Sequence, residues 1–332
     1  MSSGNVEIIQ YLVDTRKLWP GALKTADLVT HAMRELALLT PEERLGVLKY
    51  YFVADAKMSL VSRLLKHWVV ARYAGVPWLE TKMSADANKK PIFLSKDGKT
   101  QPVVFNVSHQ AGIVALVGAY GYDNGKGDGN CEGVQIGTDI VCTSERQRRD
   151  LQMIRDTKSG GWGHFVDMHA DVFGRAEAGY LKTGLTSLPT FPSRGTKEEK
   201  ELYMLRAFYM LWCLREAYVK MTGEALLAEW LGDLVFQDFE PPAPQPEGTF
   251  VQRKEDEDGD AGEIRGQVVR RLDVHFKGKK VEDANICLRS LGADFMTCTA
   301  VRTPDRKEDA LGWELGPYEW LDLETILHEG EN

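Results

Sequence analysis

The sequence predicts an α+β protein built as two similar halves, and three observations carry that expectation. A strand, a long helix and a hairpin follow one another before the glycine-rich string "GYDNGKGDGNCEG", and the same order returns after it. The strand-like runs are short, rich in β-branched residues and bounded by turn residues, as in small antiparallel sheets. At 332 residues, with 43% hydrophobic and 27% charged content, the chain has material for one large or two medium domains and is not disordered as a whole. The expected halves are residues 1–130 and 131–332, with a cleft between them and an acidic insertion at 241–266.

Each element has its own local reason. "VEIIQYLVDT" reads as an opening strand. The region from Thr40 to Gly75 reads as helix, either continuous or broken in two. Thr40 as N-cap, Pro41 at the first helical position and Glu43 three residues after the threonine form a capping box, and Gly75 with Pro77 closes the far end. "PVVFNVSH" and "GIVALVGAY" flank a turn at Gln110-Ala111-Gly112 and read as a hairpin. The glycine-rich string lacks the strand-then-helix setting and the spacing of a dinucleotide fingerprint, so it reads as a linker.

Beyond the linker, "VQIGTDIV" is a strand, and "LDVHFKG", "ANICLRSL" and "DFMTCTAVRT" supply three more. A largely apolar helix around "YMLWCLREAYVKMTG" lies between the first and the rest, with Gly223 placed as its C-terminal stop. The insertion, "PPAPQPEGTFVQRKEDEDGDAGEIRG", is rich in proline, glycine and acid and reads as a solvated segment.

Composition excludes several classes of function. A net charge of −8 argues against a general nucleic-acid binder, and any polyanionic ligand must then meet locally concentrated cations. Five cysteines, an odd number without a CxxC spacing, suggest neither a disulfide framework nor a cysteine zinc site. The N-terminus lacks a basic segment followed by an apolar one, and no window offers a membrane span, so a cytoplasmic protein without membrane contact is expected.

Three stretches could carry chemistry: "FNVSH" (Phe105 to His109), "GTDIV" (Gly137 to Val141) and "WCLREAYVKMTG" (Trp212 to Gly223). Each alone has an ordinary structural reading, and Glu216 with Lys220 could be a simple i,i+4 helix pair. Glu216 nevertheless extends the apolar line of its helix, about three turns beyond Leu205 at roughly 100° per residue. A charge on such a line needs a partner or a ligand. Asp139 and Glu216, brought together, would repel unless a cation lay between them, and Mg²⁺ prefers one or two carboxylates plus water and phosphate oxygens. "HFVDMHAD" gathers His164, Asp167, His169 and Asp171, but without a regular ligand spacing it reads as a loop or short helix rather than a metal site.

The combination of "GTDIV" with "WCLREAYVKMTG" some seventy residues later, preceded by "FNVSH", resembles the 4'-phosphopantetheinyl transferases of the surfactin-synthetase-activating type. The likeness runs from the helix around "DAKMSLVSRLL" through Gly223 and is nearest to the broad-range enzymes of filamentous fungi. The resemblance implies two α+β halves related by a pseudo-two-fold axis, with coenzyme A and Mg²⁺ in the cleft between them. It also implies transfer of the phosphopantetheine arm of coenzyme A to a serine of an acyl or peptidyl carrier protein, with release of 3',5'-ADP. Fungal relatives of broad range serve polyketide synthases, nonribosomal peptide synthetases and the lysine-pathway reductase.

By the same resemblance, Asp139 and Glu216 hold the metal, Glu216 or a water it orients takes the serine proton, and Lys220 stabilises the transferring phosphate. Ser108 and His109 contact coenzyme A phosphates, and Lys90 in "KKPIF" reaches the nucleotide end. The charge argument makes Arg44, Lys49 and Lys57 the basic candidates for the 3'-phosphate. Where many bacterial relatives carry a second acid two residues after the metal aspartate, this chain has Val141, with Gln110 as a substitute ligand and Mn²⁺ as an alternative ion. A monomer is expected. The competing reading is a non-catalytic protein of the same fold that binds coenzyme A or a carrier protein, and the presence of Asp139, Glu216 and Lys220 together weighs against it.

Overall fold

The computed structural model describes residues 6–122, 130–224, 229–245 and 267–331. In chain order the principal elements are β1 (Glu7–Asp14), α1 (Pro41–Leu48), α2 (Val53–Ala74), β2 (Val103–Gln110), β3 (Ile113–Tyr120), β4 (Gln135–Cys142) and α3 (Gln147–Arg155). They continue with α4 (Arg175–Gly179), α5 (Lys197–Thr222), β5 (Leu234–Gln237), β6 (Asp273–Phe276), β7 (Asn285–Leu291), β8 (Phe295–Arg302), β9 (Glu319–Trp320) and α6 (Leu323–Glu331). Every strand and helix anticipated among these residues is present, and the helical region from Thr40 is broken in two. Most of the acidic insertion, 246–266, lies outside the described residues, as does the core of the glycine-rich linker, 123–129.

The chain forms two compact units. The first comprises residues 1–138, 221–223 and 301–332, and the second 139–220 and 224–300. The division therefore falls at Thr138–Asp139 inside β4, where the sequence suggests 130/131, and the C-terminal residues belong with the first unit. The reason is a parallel pairing that no short-range pattern announces: Tyr11 pairs with Glu319 and Leu12 with Trp320.

In the first unit a four-stranded sheet has the order β9-β1-β3-β2. β1 runs antiparallel to β3, with Leu12 opposite Ala115, and β2 runs antiparallel to β3, with Phe105 opposite Gly118. β3 is buried at every residue but its last, which is what a central strand demands and what the run "IVALVGAY" supplies. Gly118 is needed there, because a Cβ would stand 3.0 Å from Ile9 Cγ1 and 3.1 Å from the Val104 carbonyl oxygen. The hairpin turn is the two residues Ala111-Gly112, with φ of 49° and 85°, and Gln110 already pairs with Ile113. α2 lays Leu60, Leu64, Leu65 and Trp68 into the core with Tyr11, Val13, Phe105 and Leu116, and α6 adds Leu323, Ile326 and Leu327.

α1 starts as anticipated. Glu43 N donates to Thr40 Oγ1 at 3.3 Å, and Thr40 N donates back to Glu43 Oε2 at 3.1 Å. The same carboxylate faces His67 Nε2 at 3.0 Å, and His67 Nδ1 lies 2.6 Å from Thr81 Oγ1. Thr81 in turn gives its proton to the Trp78 carbonyl at 2.6 Å. Burial works to raise the Glu43 pKa, but hydrogen bonds and charge from His67, with Thr40 behind them, hold it at about 2.

In the second unit the sheet has the order β4-β8-β7 with Val268–Val269 at its edge, and β6 lies between β5 and Lys279–Lys280 in a smaller one. α5 starts with a second capping box, Thr196 with Glu199, and ends at Gly223, whose φ is 82°. No helix among the described residues is long and apolar enough to cross a membrane.

A carboxyl depressed in the folded state stabilises above its unfolded value and loses that stabilisation as the pH falls. Between about pH 5 and pH 2, Glu43 should withdraw on the order of 3 kcal/mol from the fold. Urea unfolding across that range should show a clear loss of slope in Glu43→Gln relative to the parent chain.

Candidate functional site

The second unit brings Asp139, Glu216 and Lys220 together. Asp139 sits mid-strand in β4, where all residues from Ile136 to Cys142 are buried, and is itself 5% exposed. Glu216 and Lys220 stand one turn apart near the end of α5, both half-buried. Lys220 Nζ donates to Asp139 Oδ1 at 2.7 Å. The backbone of the same aspartate is held from below, since its carbonyl accepts from the buried Cys213 thiol at 3.6 Å.

The electrostatics are those of two acids sharing one base. Burial raises the Glu216 pKa, the Lys220 ammonium pulls it down and the Asp139 charge pushes it up again, leaving it above the ordinary glutamate value. Burial works against the Lys220 charge, but the Asp139 and Glu216 carboxylates outweigh it and raise its pKa. The Glu216 carboxylate accepts no hydrogen bond from any described residue. A half-buried acid left open beside a second acid is suited to a cation or to a proton in transit.

The donor set is hard oxygen from two carboxylates, and no group of three or more His, Cys, Asp or Glu among the described residues could hold a metal ion. Two carboxylates suffice for Mg²⁺ or Mn²⁺ when water and phosphate oxygens fill the remaining positions. "HFVDMHAD" makes no such cluster: His169 Nδ1 lies 2.8 Å from the Phe165 carbonyl with its ring against Phe208, and Asp167 pairs with Lys182.

The largest surprise lies one residue away. Arg215, not Glu216, is the fully buried charge of α5, with 0% exposure. Its Nη1 meets Glu177 Oε2 at 2.6 Å and the Leu234 carbonyl at 2.8 Å, and its Nη2 donates to the Leu231 carbonyl. Glu177, equally buried, accepts from Phe236 N at 2.9 Å and from Gly174 N at 3.2 Å. Because the C-terminal half of α5 is buried on nearly every side, an apolar line along it does not separate an inside from an outside, so the sequence singled out Glu216 and passed over Arg215.

The remaining anticipated residues lie in the first unit. In β2, Ser108 is buried and His109 exposed, as adjacent strand residues facing opposite sides of the sheet, while half-buried Gln110 shares the face of Ser108. Lys90 Nζ donates to the Ile136 carbonyl at 2.8 Å, and burial lowers its pKa to about 8. Arg44 donates to the Leu39 and Ala37 carbonyls, each at 3.0 Å. Lys57 donates to the Leu18 carbonyl at 2.8 Å and the Trp19 carbonyl at 3.1 Å. Lys49 is exposed just beyond α1.

Residues 29–121 match the family described as 4'-phosphopantetheinyl transferase, N-terminal, and residues 135–269 match the 4'-phosphopantetheinyl transferase superfamily. A 4'-phosphopantetheinyl transferase 1 of Fusarium mangiferae is 42% identical over 98% of this chain and 95% of its own length. The chain belongs to the 4'-phosphopantetheinyl transferase family. A second relative, from Aureobasidium melanogenum, is 34% identical over 88% of this chain and 90% of its own. The transferase NpgA of Emericella nidulans is 33% identical over 89% and 82% respectively. More distant is the L-aminoadipate-semialdehyde dehydrogenase-phosphopantetheinyl transferase of Schizosaccharomyces pombe, 25% identical over 66% of this chain and 70% of its own. The family match spans both units, so the phosphopantetheinyl transferase fold is carried by the N-terminal and C-terminal portions together.

Two outcomes check this arrangement of charges in the second unit. Lys220→Met removes the ammonium that lowers the Glu216 pKa, so a carboxyl-carbon NMR titration should show Glu216 titrating at higher pH than in the parent. Glu177→Gln leaves Arg215 buried with a weakened partner and should lose about 3 kcal/mol in urea unfolding, whereas replacing both residues by apolar ones of similar volume should recover much of that loss.

Proposed function

We propose that this chain transfers the 4'-phosphopantetheine arm of coenzyme A to a serine of acyl or peptidyl carrier proteins, as an enzyme of the surfactin-synthetase-activating type. The observation that carries this reading is the Asp139, Glu216 and Lys220 cluster, two acids and a base in the second unit of a chain that belongs to this family. In the reaction the serine oxygen forms a bond to the β-phosphorus of coenzyme A, and the bond from that phosphorus to the bridging oxygen breaks. The leaving group is 3',5'-ADP.

Glu216 is the residue fitted to receive the serine proton, directly or through a water. Its carboxylate is engaged by no donor among the described residues, and its raised pKa brings it nearer to the working range of a general base. Lys220 keeps Asp139 and Glu216 in the same small volume without their mutual repulsion and presents positive charge to the transferring phosphate. Asp139, rigid in a buried strand, supplies a fixed carboxylate. Mg²⁺ or Mn²⁺, held by Asp139 and Glu216 with Gln110 as a candidate further ligand, would neutralise charge on the pyrophosphate.

Ser108, His109, Lys90, Arg44, Lys49 and Lys57 are the proposed contacts to coenzyme A. Arg44, Lys57 and Lys90 each give at least one donor to a backbone carbonyl, so each would offer only its remaining N–H groups. The name of the Schizosaccharomyces pombe relative supports a lysine-pathway carrier domain among the substrates. The repeated strand, helix and hairpin order supports two halves related by a pseudo-two-fold axis, and with both halves on one chain we infer a monomer acting in the cytoplasm.

Intact-mass spectrometry of an apo carrier protein incubated with the chain, coenzyme A and Mg²⁺ should show one phosphopantetheine added, and none in EDTA. Glu216→Gln keeps side-chain volume and should lose at least a hundredfold in rate while still folding. No mass gain on any carrier, with coenzyme A binding intact, would favour a non-catalytic binding protein.

A further inference from the structure

The residues just ahead of Asp139 are held by side chains rather than by a neighbouring strand. β4 lies at the edge of its sheet, so one row of its N–H and C=O groups has no strand beside it among the described residues. Two side chains of the first unit take up that row: Lys90 Nζ donates to the Ile136 carbonyl at 2.8 Å, and Thr138 N donates to Asn106 Oδ1 at 2.9 Å. A third meets the fully buried Thr138 side chain, whose Oγ1 lies 2.6 Å from Tyr318 Oη.

Tyr318 belongs to the C-terminal segment, which neither the motifs nor the cluster of charges accounts for. That segment is itself anchored. Leu315 is fully buried, Gln10 Nε2 donates to the Gly316 carbonyl, Glu319 and Trp320 pair with Tyr11 and Leu12, and Leu321 N donates to the Leu12 carbonyl at 2.8 Å. With its neighbours on both sides fixed, Tyr318 brings its hydroxyl to one place.

A buried hydroxyl amid Ile136, Ile140 and Val141 costs free energy unless it is bonded, and valine opposite phenylalanine would fill the same space with little change in stability. The Thr138–Tyr318 contact therefore contributes direction more than stability. Asp139 begins where these contacts end. Its side chain leaves the opposite face of β4 from that of Thr138, and its carboxylate accepts from Lys220. All the contacts to Ile136 and Thr138 lie within the first unit and reach Asp139 through a single peptide bond.

We propose that Tyr318, acting through Thr138, is a positioning residue for Asp139, with Asn106 as its counterpart on the backbone. The C-terminal segment is then part of the scaffold of the site. This role rests on the transferase reading above, in which Asp139 helps to hold the divalent ion.

The test uses the full chain with Tyr318→Phe, Thr138→Val, both together, and Thr138→Ser. Each of the first two should raise the Mg²⁺ concentration for half-maximal carrier modification at least fivefold and leave KM for coenzyme A within twofold. Mn²⁺ binding in the presence of coenzyme A, followed by electron paramagnetic resonance, should weaken to match. The double variant should be no worse than either single one, because both break the same contact. Thr138→Ser keeps the hydroxyl and should keep the parent's metal requirement. A pair that only supports the fold would lower stability and kcat with the metal requirement unchanged. That result, or additive losses in the double variant, overturns the proposal.

Amide hydrogen exchange reads the same contact without turnover. The Thr138 and Asp139 amides should exchange at least tenfold faster in Tyr318→Phe than in the parent, and unchanged exchange overturns the proposal whatever the activity. A parent chain that modifies no carrier overturns the transferase reading instead, and the exchange rates then decide alone whether Tyr318 holds this part of β4.

Discussion

The buried pair of Arg215 and Glu177 is the constraint on which the second unit turns. A guanidinium and a carboxylate taken wholly out of water cost several kcal/mol each unless nearly every polar atom is satisfied. Here partners come from three places: the start of α4 through Gly174, β5 through Leu234 and Phe236, and the Leu231 carbonyl in the short 3-10 helix Glu229–Asp233, leaving only Arg215 Nε of the guanidinium without an acceptor among the described residues. The partners must all be in register at once. That fixes the rotation of α5 about its own axis, and with Arg215 locked, Glu216 and Lys220 are aimed by helix geometry alone. The charged groups near the end of α5 thus inherit their placement from a buried neighbour.

Cations in this acidic protein work largely as backbone staples. Arg206 shows the pattern most fully: its Nε donates to the Pro242 carbonyl at 2.7 Å, Nη1 to the Ala293 carbonyl at 3.2 Å and Nη2 to Ser290 Oγ at 2.8 Å. Arg44 and Lys57 do the same at Leu39 and Leu18 in loops of the first unit, and Lys90 does so at Ile136 within β4. Irregular segments carry carbonyls that no strand or helix pairs, and a long charged side chain can reach them across the surface.

Local chemistry made most of the fold legible. The capping box at Thr40, the glycine stops at Gly75 and Gly223 and the β-branched hairpin each depend on a few adjacent residues, and such signals are written in the chain. The acids of the site were legible for a related reason, since a carboxylate in an apolar run is conspicuous wherever it occurs. Arg215 was not, because an arginine beside a glutamate reads as an ordinary surface pair until tertiary structure closes over it. The parallel partner of β1 had no local signature at all.

That last pairing bears on the order of assembly. β1 waits for a partner about three hundred residues downstream, and Leu323, Ile326 and Leu327 complete a core begun by Ile9 and Tyr11. Contacts so distant in sequence are slow to close, because the intervening chain must be gathered first. During synthesis the N-terminal unit would therefore emerge with one sheet edge unpaired and part of its apolar surface uncovered, while the entire second unit is still being made. Until the last residues are released, the β1 edge that will pair with β9 is therefore open to pairing with other chains, a hazard that ends only when translation does.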